Sequence, residues 1–292
     1  MRSSLLDDVI IKDWLNTPIE NKQQYSFNFI TITNKKKADF EIIRLLQKNL
    51  LYTYEDKTSL DFSLNGGDKS FIRNYLKSLF PNDENSDSEN NKRMTQSGDF
   101  GEATTKLLLK HLYNKDSINK LKYKLHSGRS VFGTDLISFD NINNPSTMSF
   151  CEIKTRQKLQ KEKGKNEQGI EESLYISVIA HNSLKYDTKQ LINPVLRFMM
   201  LRAKESNELD TAMTFREIIN GNKIIKREYE IYILTEDTKA NLANILDALE
   251  QLQNKLCPLS ITFIIVDDLD YIKKEIWSGI ENYAYSLYGV DV

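Results

Sequence analysis

The sequence predicts an α/β fold, a mixed β-sheet flanked by helices, with a small α/β module at its N-terminal end. Three patterns predict it. Residues 133–139 and 149–155 read as strands, and the turn-forming run 140–146 (DNINNPS) folds them into a hairpin. Residues 229–234 and 261–266 are β-branched strands on either side of a helical stretch, a βαβ unit that crosses over right-handedly into a parallel pair. Between these strands, apolar residues at helical spacing supply the covering layers.

In chain order, residues 25–33 alternate aromatic and β-branched side chains with period two, so they form a strand. Residues 38–51 place Phe40, Ile43, Leu46 and Leu50 on one helical face, and residues 70–80 do so with Phe71, Tyr75, Leu76 and Leu79. These elements form either a module packed on the remainder or an extension of its sheet. The run 81–92 has no apolar residue beyond Pro81, so the chain divides into 1–93, ending in a polar linker at about 81–93, and 94–292. A helix over 97–112 follows, capped by Ser97 or Asp99, with Phe100, Ala103, Leu107, Leu108 and Leu112 on its buried face. Glu102 lies off that stripe, beside Lys106 and Leu109.

Beyond the hairpin, residues 156–173 hold only Leu159 and Ile170 as large apolar residues. Such a length points to a mobile functional loop, with a surface loop of no role as the plainer reading. Residues 174–184 and 191–203 read as two helices, the second starting near Pro194, a residue favoured in a first helical turn. Met199, Met200 and Leu201 suit a core, and Arg197 and Arg202 are candidates for a phosphate contact. The helix of the βαβ unit opens at Thr235, Asp237 or Thr238 and runs to about Lys255. An aromatic helix over 269–288 carries Tyr271, Trp277, Tyr283, Tyr285 and Tyr288, a core set or in part a partner surface.

Bulk properties narrow the function. With 292 residues, 40% apolar and 10% aromatic, the chain suits one large or two small folded domains. There is no run of about 18 apolar residues, and acids interrupt the first apolar segment at Asp7 and Asp8, which argues against a signal peptide. The expectation is a cytoplasmic protein without membrane contact. Cys151 and Cys257 suit reduced, buried thiols, and His111, His126 and His181 lack metal-ligand spacing. No phosphate-binding loop of the Gly-x-x-x-x-Gly-Lys-Ser/Thr type is present, and Gly66-Gly67 is only a turn. The net charge of −1 hides an asymmetry: residues 101–170 carry +6, residues 1–100 carry −1 and residues 171–292 carry −6. Positive charge is therefore local, which suits phosphate binding at one place.

The chemistry-bearing residues lie in that basic segment. Side chains alternate along a strand, so Glu152 and Lys154 share one exposed face while Cys151 and Ile153 point into the core. The hairpin sets Asp135 beside Glu152. A lone Glu-x-Lys means little in a chain with 28% charged residues. A helix carrying Gly101-Glu102, then Gly-x-Asp on a strand, a short turn and an apolar-flanked Glu-x-Lys is a far rarer order. Carboxylate oxygens on adjacent strands hold hard divalent cations, and a lysine beside them can act on a water or offset charge in a transition state. Arg156, Lys158, Lys161, Lys163 and Lys165, directly behind Lys154, can track a nucleic-acid backbone.

At these residues the chain resembles the PD-(D/E)XK (restriction-endonuclease-like) nuclease superfamily, with Asp135 as the D and Glu152-Ile153-Lys154 as the ExK. Thr134 stands where the superfamily name has proline. The resemblance implies catalytic roles for Glu102, Asp135, Glu152 and Lys154. It also implies Mg²⁺, with Mn²⁺ as a substitute, held by Glu102, Asp135, Glu152 and the Ile153 carbonyl. Phosphate contacts fall within 104–165, with Lys106, Arg156, Lys158, Lys161 and Lys163 as DNA-binding residues. More narrowly, segments 98–102, 133–135, 150–154 and 192–197 are similar to the DUF1837 family, which includes the nuclease subunit of the Hachiman anti-phage system and a subunit of the AbpA/AbpB phage-defence pair. Membership implies a largely sequence-independent DNA endonuclease, restrained by a separately encoded superfamily 2 helicase (HamB-like). Two other readings stay open: a catalytically silent nuclease fold that binds DNA or regulates the helicase, and a toxin-like RNase.

Overall fold

The computed structural model describes residues 2–21, 24–83, 86, 88–119, 134–205 and 207–290. Among them, seven strands form one mixed sheet in the order β1 (Ile19–Asn21), β2 (Asn28–Thr33), β9 (Leu259–Ile265), β8 (Lys226–Thr235), β5 (Thr147–Arg156), β4 (Leu136–Phe139) and β3 (Asp116–Asn119). The four inner strands β2, β9, β8 and β5 are parallel, and antiparallel pairs close both edges. The expected βαβ unit is present as β8, α8 (Leu242–Glu250) and β9, although α8 is shorter than expected, with Asn241 at its N-cap.

Helices cover both faces. On one, α1 (Arg2–Trp14), α2 (Phe40–Tyr54), α3 (Lys57–Leu64), α4 (Lys69–Leu79), α5 (Glu89–Tyr113) and α9 (Leu269–Leu287) surround a core containing Leu50, Leu108, Ile276, Cys151 and Ile153. On the other, α6 (Ile176–Glu205), α7 (Leu209–Ile219) and α8 pack on Phe150, Ile233 and Phe263. Period-two alternation divides β5 between the two cores.

Several expectations change. Strand β2 pairs with β9 from Asn28↔Ser260 to Thr33↔Ile265, so the early strand extends the common sheet. The polar run after Pro81 leads into α5, which begins at Glu89, well before Ser97. Ser88 Oγ accepts from Asn91 N at 3.2 Å, and Glu89 pairs with Lys92 at 2.7 Å and Arg93 at 3.0 Å, so a cap and ion pairs extend the helix without a buried apolar stripe. The two helices expected over 174–203 are one, α6, which runs across Pro194 although a proline there forgoes one intrahelical hydrogen bond. The stretch 156–173 contains a hairpin, β6 (Glu162–Lys165) and β7 (Glu171–Leu174), closed by Asn166 Oδ1 accepting from Gln168 N and Ile170 N. Cys151 is buried as expected, whereas Cys257 is exposed because it precedes β9 at the surface. Gly133, His126 and the lysines between 120 and 124 lie outside the described residues, as do the side chains of 192–195 and Arg202.

Candidate functional site

The hairpin forms as the sequence predicts. Asp140 closes its turn by accepting from Ser146 N and Thr147 N, both at 3.0 Å. The ladder between β4 and β5 starts at Leu136↔Cys151, so Asp135, one residue before β4, falls opposite Glu152. Beyond Cys151, β5 runs on to Arg156 paired with β8 alone among the described residues. That unpaired edge is where the site opens.

Asp135 is fixed there by the strand itself, since Ile153 N donates to its Oδ2 at 2.7 Å. The N–H and C=O of one residue point to the same side of a strand, so the Ile153 carbonyl faces the same edge. Glu152 and Lys154 stand on the α6 face of β5, and Lys154 Nζ donates to Glu152 Oε1 at 2.7 Å. The exposed face expected for this pair is not what forms: the Glu152 side chain is 2% and the Lys154 side chain 22% accessible, because helices cover both faces of this inner strand.

From the other face comes Glu102. A Cβ at Gly101 would lie 2.2 Å from Thr155 Oγ1 and 3.2 Å from Ile153 Cγ2, so α5 approaches β5 as closely as glycine allows. The next residue, Glu102, is thereby held buried at the strand edge. Behind it, Tyr54 donates its hydroxyl to Asp99, and Asn49 Nδ2 donates to the Ala103 carbonyl at 2.6 Å, fastening α5 to α2. Burial, then the charges of Asp99 and Glu102, push the Tyr54 hydroxyl well above its usual range.

The electrostatics follow from crowding. Burial first, and the Asp135 charge second, push the Glu152 carboxyl up to about 7 against the pull of Lys154. Burial pulls the Lys154 ammonium down, yet the Glu152 and Asp135 charges outweigh it and leave it above its ordinary value. Glu152 Oε2 is buried without a hydrogen bond of normal geometry among the described residues, the Ser183 side chain of α6 lying near the carboxylate. Such an atom beside a second carboxylate is a place a cation satisfies. The donors Glu102, Asp135, Glu152 and the Ile153 carbonyl are all hard oxygens, the type Mg²⁺ takes. Among the described residues no three His, Cys, Asp or Glu side chains already form a ligating cluster. Mg²⁺ does not demand one, because it keeps waters and substrate oxygens in its shell.

A cleft of about 490 Å³ opens here, lined by Glu102, Asp135, Ile153, Lys154, Thr155 and Arg156. Its far wall is Arg93, Met94, Ser97 and Gly98 of α5, with Glu162 of β6 beside Arg156. Neither Arg93 nor Glu162 stood out in the sequence. The helix was expected to start after Arg93, and Glu162 was hidden in a run read only for its lysines. Of the expected backbone-tracking residues, Arg156 alone lines the cleft. Lys158 and Lys163 are exposed elsewhere, Lys161 lies over the Tyr175 ring at 5.0 Å, and Lys106 is half-buried on α5. His181 is buried, with Nε2 accepting from Leu256 N at 3.1 Å, and His111 pairs with Asp8, so both serve the fold.

A family model described as HamA matches residues 4–280. The chain belongs to the HamA family. HamA membership makes it a subunit of the Hachiman defence system. The match spans the helix of Glu102, the Asp135 turn and the Glu152–Lys154 strand together. No curated protein matches the chain. No helix among the described residues is long and apolar enough to cross a membrane.

Proposed function

We propose that this HamA-family chain is a metal-dependent DNA endonuclease of PD-(D/E)XK fold, largely indifferent to sequence and controlled by a partner superfamily 2 helicase. The observation that carries the reading is the meeting of Asp135, Glu152, Lys154 and the Ile153 backbone at the unpaired edge of β5, with Glu102 lining the same cleft. Glu102, Asp135, Glu152 and the Ile153 carbonyl would hold Mg²⁺ or Mn²⁺. Bound there, the ion supplies activation of water and neutralisation of charge on the attacked phosphate. The chain's own residues do the rest. Asp135, pinned by Ile153 N, is a preorganised acceptor. Lys154, drawn to 2.7 Å from Glu152, is a fixed cation that orients a water or stabilises charge developing on phosphate. Gly101 keeps Glu102 against the strand. The arginines of the cleft hold the neighbouring backbone.

Plasmid and linear DNA incubated with Mg²⁺, Mn²⁺ or EDTA provide the test, with Glu152→Ala and Lys154→Ala beside the native chain. The expected outcome is metal-dependent cutting that both variants lose by at least about 100-fold while remaining folded. Cutting that persists in both removes the assignment. A second reading, a catalytically silent subunit that binds DNA or regulates the helicase, draws support from the ion pairs that close the cleft. It predicts DNA or helicase binding without cutting, even when the helicase is added. Comparing RNA with DNA separates a toxin-like RNase.

A further inference from the structure

The Arg156 guanidinium is held end to end by Glu162. Nε donates to Oε2 at 2.7 Å and an Nη donates to Oε1 at 2.7 Å, a bidentate fork, while the other Nη donates to the Thr155 carbonyl at 3.0 Å. Both residues line the cleft that Lys154 and Asp135 line, and their side chains are 38% and 31% accessible. The carboxylate presents to arginine the same pair of oxygens that a phosphodiester does. Glu162 therefore occupies the position a backbone phosphate takes on Arg156.

Its placement is built into the hairpin. Glu162 opens β6, whose register with β7 runs from Glu162↔Leu174 to Lys165↔Glu171. The hairpin lies against α6, where a Cβ on Gly164 would meet Ile179 side-chain carbons at 2.6 and 2.8 Å. On the β5 side, Leu159 is buried and Leu159 N donates to Asp237 Oδ2 at 3.0 Å. Glu162 is thus anchored from both directions next to Arg156, which lies two residues beyond Lys154.

We infer that Arg156 is a phosphate clamp of this cleft and that Glu162 is its internal competitor, a latch that a DNA backbone phosphate must displace. The inference rests on the nucleic-acid reading of the cleft, and it also gives β6 and β7 a function: they present the competing carboxylate. Entry of DNA exchanges one bidentate partner of Arg156 for another. The latch lowers affinity for DNA without touching the catalytic groups.

The experiment uses the full chain and fluorescently labelled DNA duplexes and single strands of arbitrary sequence, with Ca²⁺ or EDTA to prevent cutting. Binding is compared for the native chain, Glu162→Gln, Arg156→Gln, the double variant, and Glu171→Gln as a control for simple loss of negative charge. Opening the latch raises affinity by about two- to fivefold in Glu162→Gln, the range of a part-exposed ion pair. Arg156→Gln lowers affinity, the gain from Glu162→Gln vanishes in its background, and Glu171→Gln changes little. A gain that survives in the double variant, or that Glu171→Gln reproduces, reduces the effect to net charge and overturns the latch. Absence of DNA binding by every variant overturns it as well. Cutting with Mg²⁺ is scored separately. Arg156-dependent gain without cutting by any variant leaves the latch standing and removes the nuclease reading. Cutting by the native chain with no gain in Glu162→Gln does the reverse.

Discussion

Replacing Gly101 with alanine puts the packing of α5 on β5 to the test. The new Cβ would meet Thr155 Oγ1 at 2.2 Å, whereas ordinary contact begins at 3.4 Å, so about 1.2 Å must be made up. Neither side yields easily. Thr155 is a β-branched residue on an inner strand, and α5 is tied to α2 through Tyr54–Asp99 and Asn49–Ala103. Overpacking of this kind costs about 1–3 kcal/mol, offset by about 1 kcal/mol of improved helix propensity. Stability therefore falls modestly, by about 0–2 kcal/mol. The larger effect is on the cleft, because Glu102 moves with the helix, and a displacement near 1 Å at a reacting centre costs on the order of 100-fold in rate. Thr155 Oγ1 is buried without a hydrogen-bond partner among the described residues, so Thr155→Ala removes the clashing atom and orphans no donor or acceptor. The double variant Gly101→Ala/Thr155→Ala should recover part of the loss, with Ile153 Cγ2 at 3.2 Å still resisting. Urea denaturation and Mg²⁺-dependent DNA cutting read the two effects. Full activity in Gly101→Ala, or losses that simply add in the double variant, would refute the reasoning.

Two further perturbations probe buried charge. Lys115 Nζ donates to Glu230 Oε1 at 2.5 Å, and Tyr232 donates to Oε2 at 2.6 Å, on a carboxylate 8% accessible. Lys115→Met leaves that charge half-satisfied and should cost close to the lower end of about 3–5 kcal/mol, since Lys115 itself is 23% accessible. Adding Glu230→Gln should return most of it in denaturation midpoints, and a double variant as unstable as the single would exclude the pair as the cause. For Glu152, whose carboxyl is raised from 4.5 to about 7, the sign is that of a buried acid: its contribution to stability is complete below pH 4.5 and lost as pH rises through about 7. In EDTA, Glu152→Gln should therefore gain on the native chain by about 2–3 kcal/mol between pH 5 and pH 8. A stability difference independent of pH would contradict the raised value.

The legible part of the sequence was the part built on short-range rules. Alternation and turn chemistry gave the Asp135–Glu152 register because Asp140 must close the turn and a one-residue slip would exchange the two cores. The rest depended on contacts that no local pattern carries. Residues 89–96, polar but for the exposed Met94, continue α5 through one cap and two ion pairs, so an apolar-stripe criterion starts the helix too late and misses Arg93. Glu152 reads as half of an exposed pair until α6 is laid over that face. Residues 162–174 are polar enough to read as an open loop, yet they pair with one another, and Glu162 acquires its meaning only from lying opposite Arg156. The short helices α1 and α7 went unread because their apolar faces are completed only in the fold, by α2 and α5 for α1 and by α6 for α7, and α3 because its eight residues give few apolar repeats.

The charge balance of the cleft sets a condition on any function assigned to it. The basic segment suggested an electropositive groove, yet each cation that lines the cleft is already engaged: Arg93 with Glu89 at 3.0 Å, Lys154 with Glu152 at 2.7 Å, and Arg156 with Glu162 at 2.7 Å. An anionic ligand entering such a cleft gains no free positive field and must exchange partners one by one. The exchange at Lys154 differs from the other two. Freeing it from Glu152 leaves a nearly inaccessible carboxylate beside Asp135, which is unfavourable unless a proton or a cation arrives at the same time. Metal and substrate should therefore bind cooperatively, each lowering the cost of breaking the Lys154–Glu152 pair for the other. On the proposed nuclease reading, a cleft arranged in this way holds its cations engaged until metal and DNA arrive together.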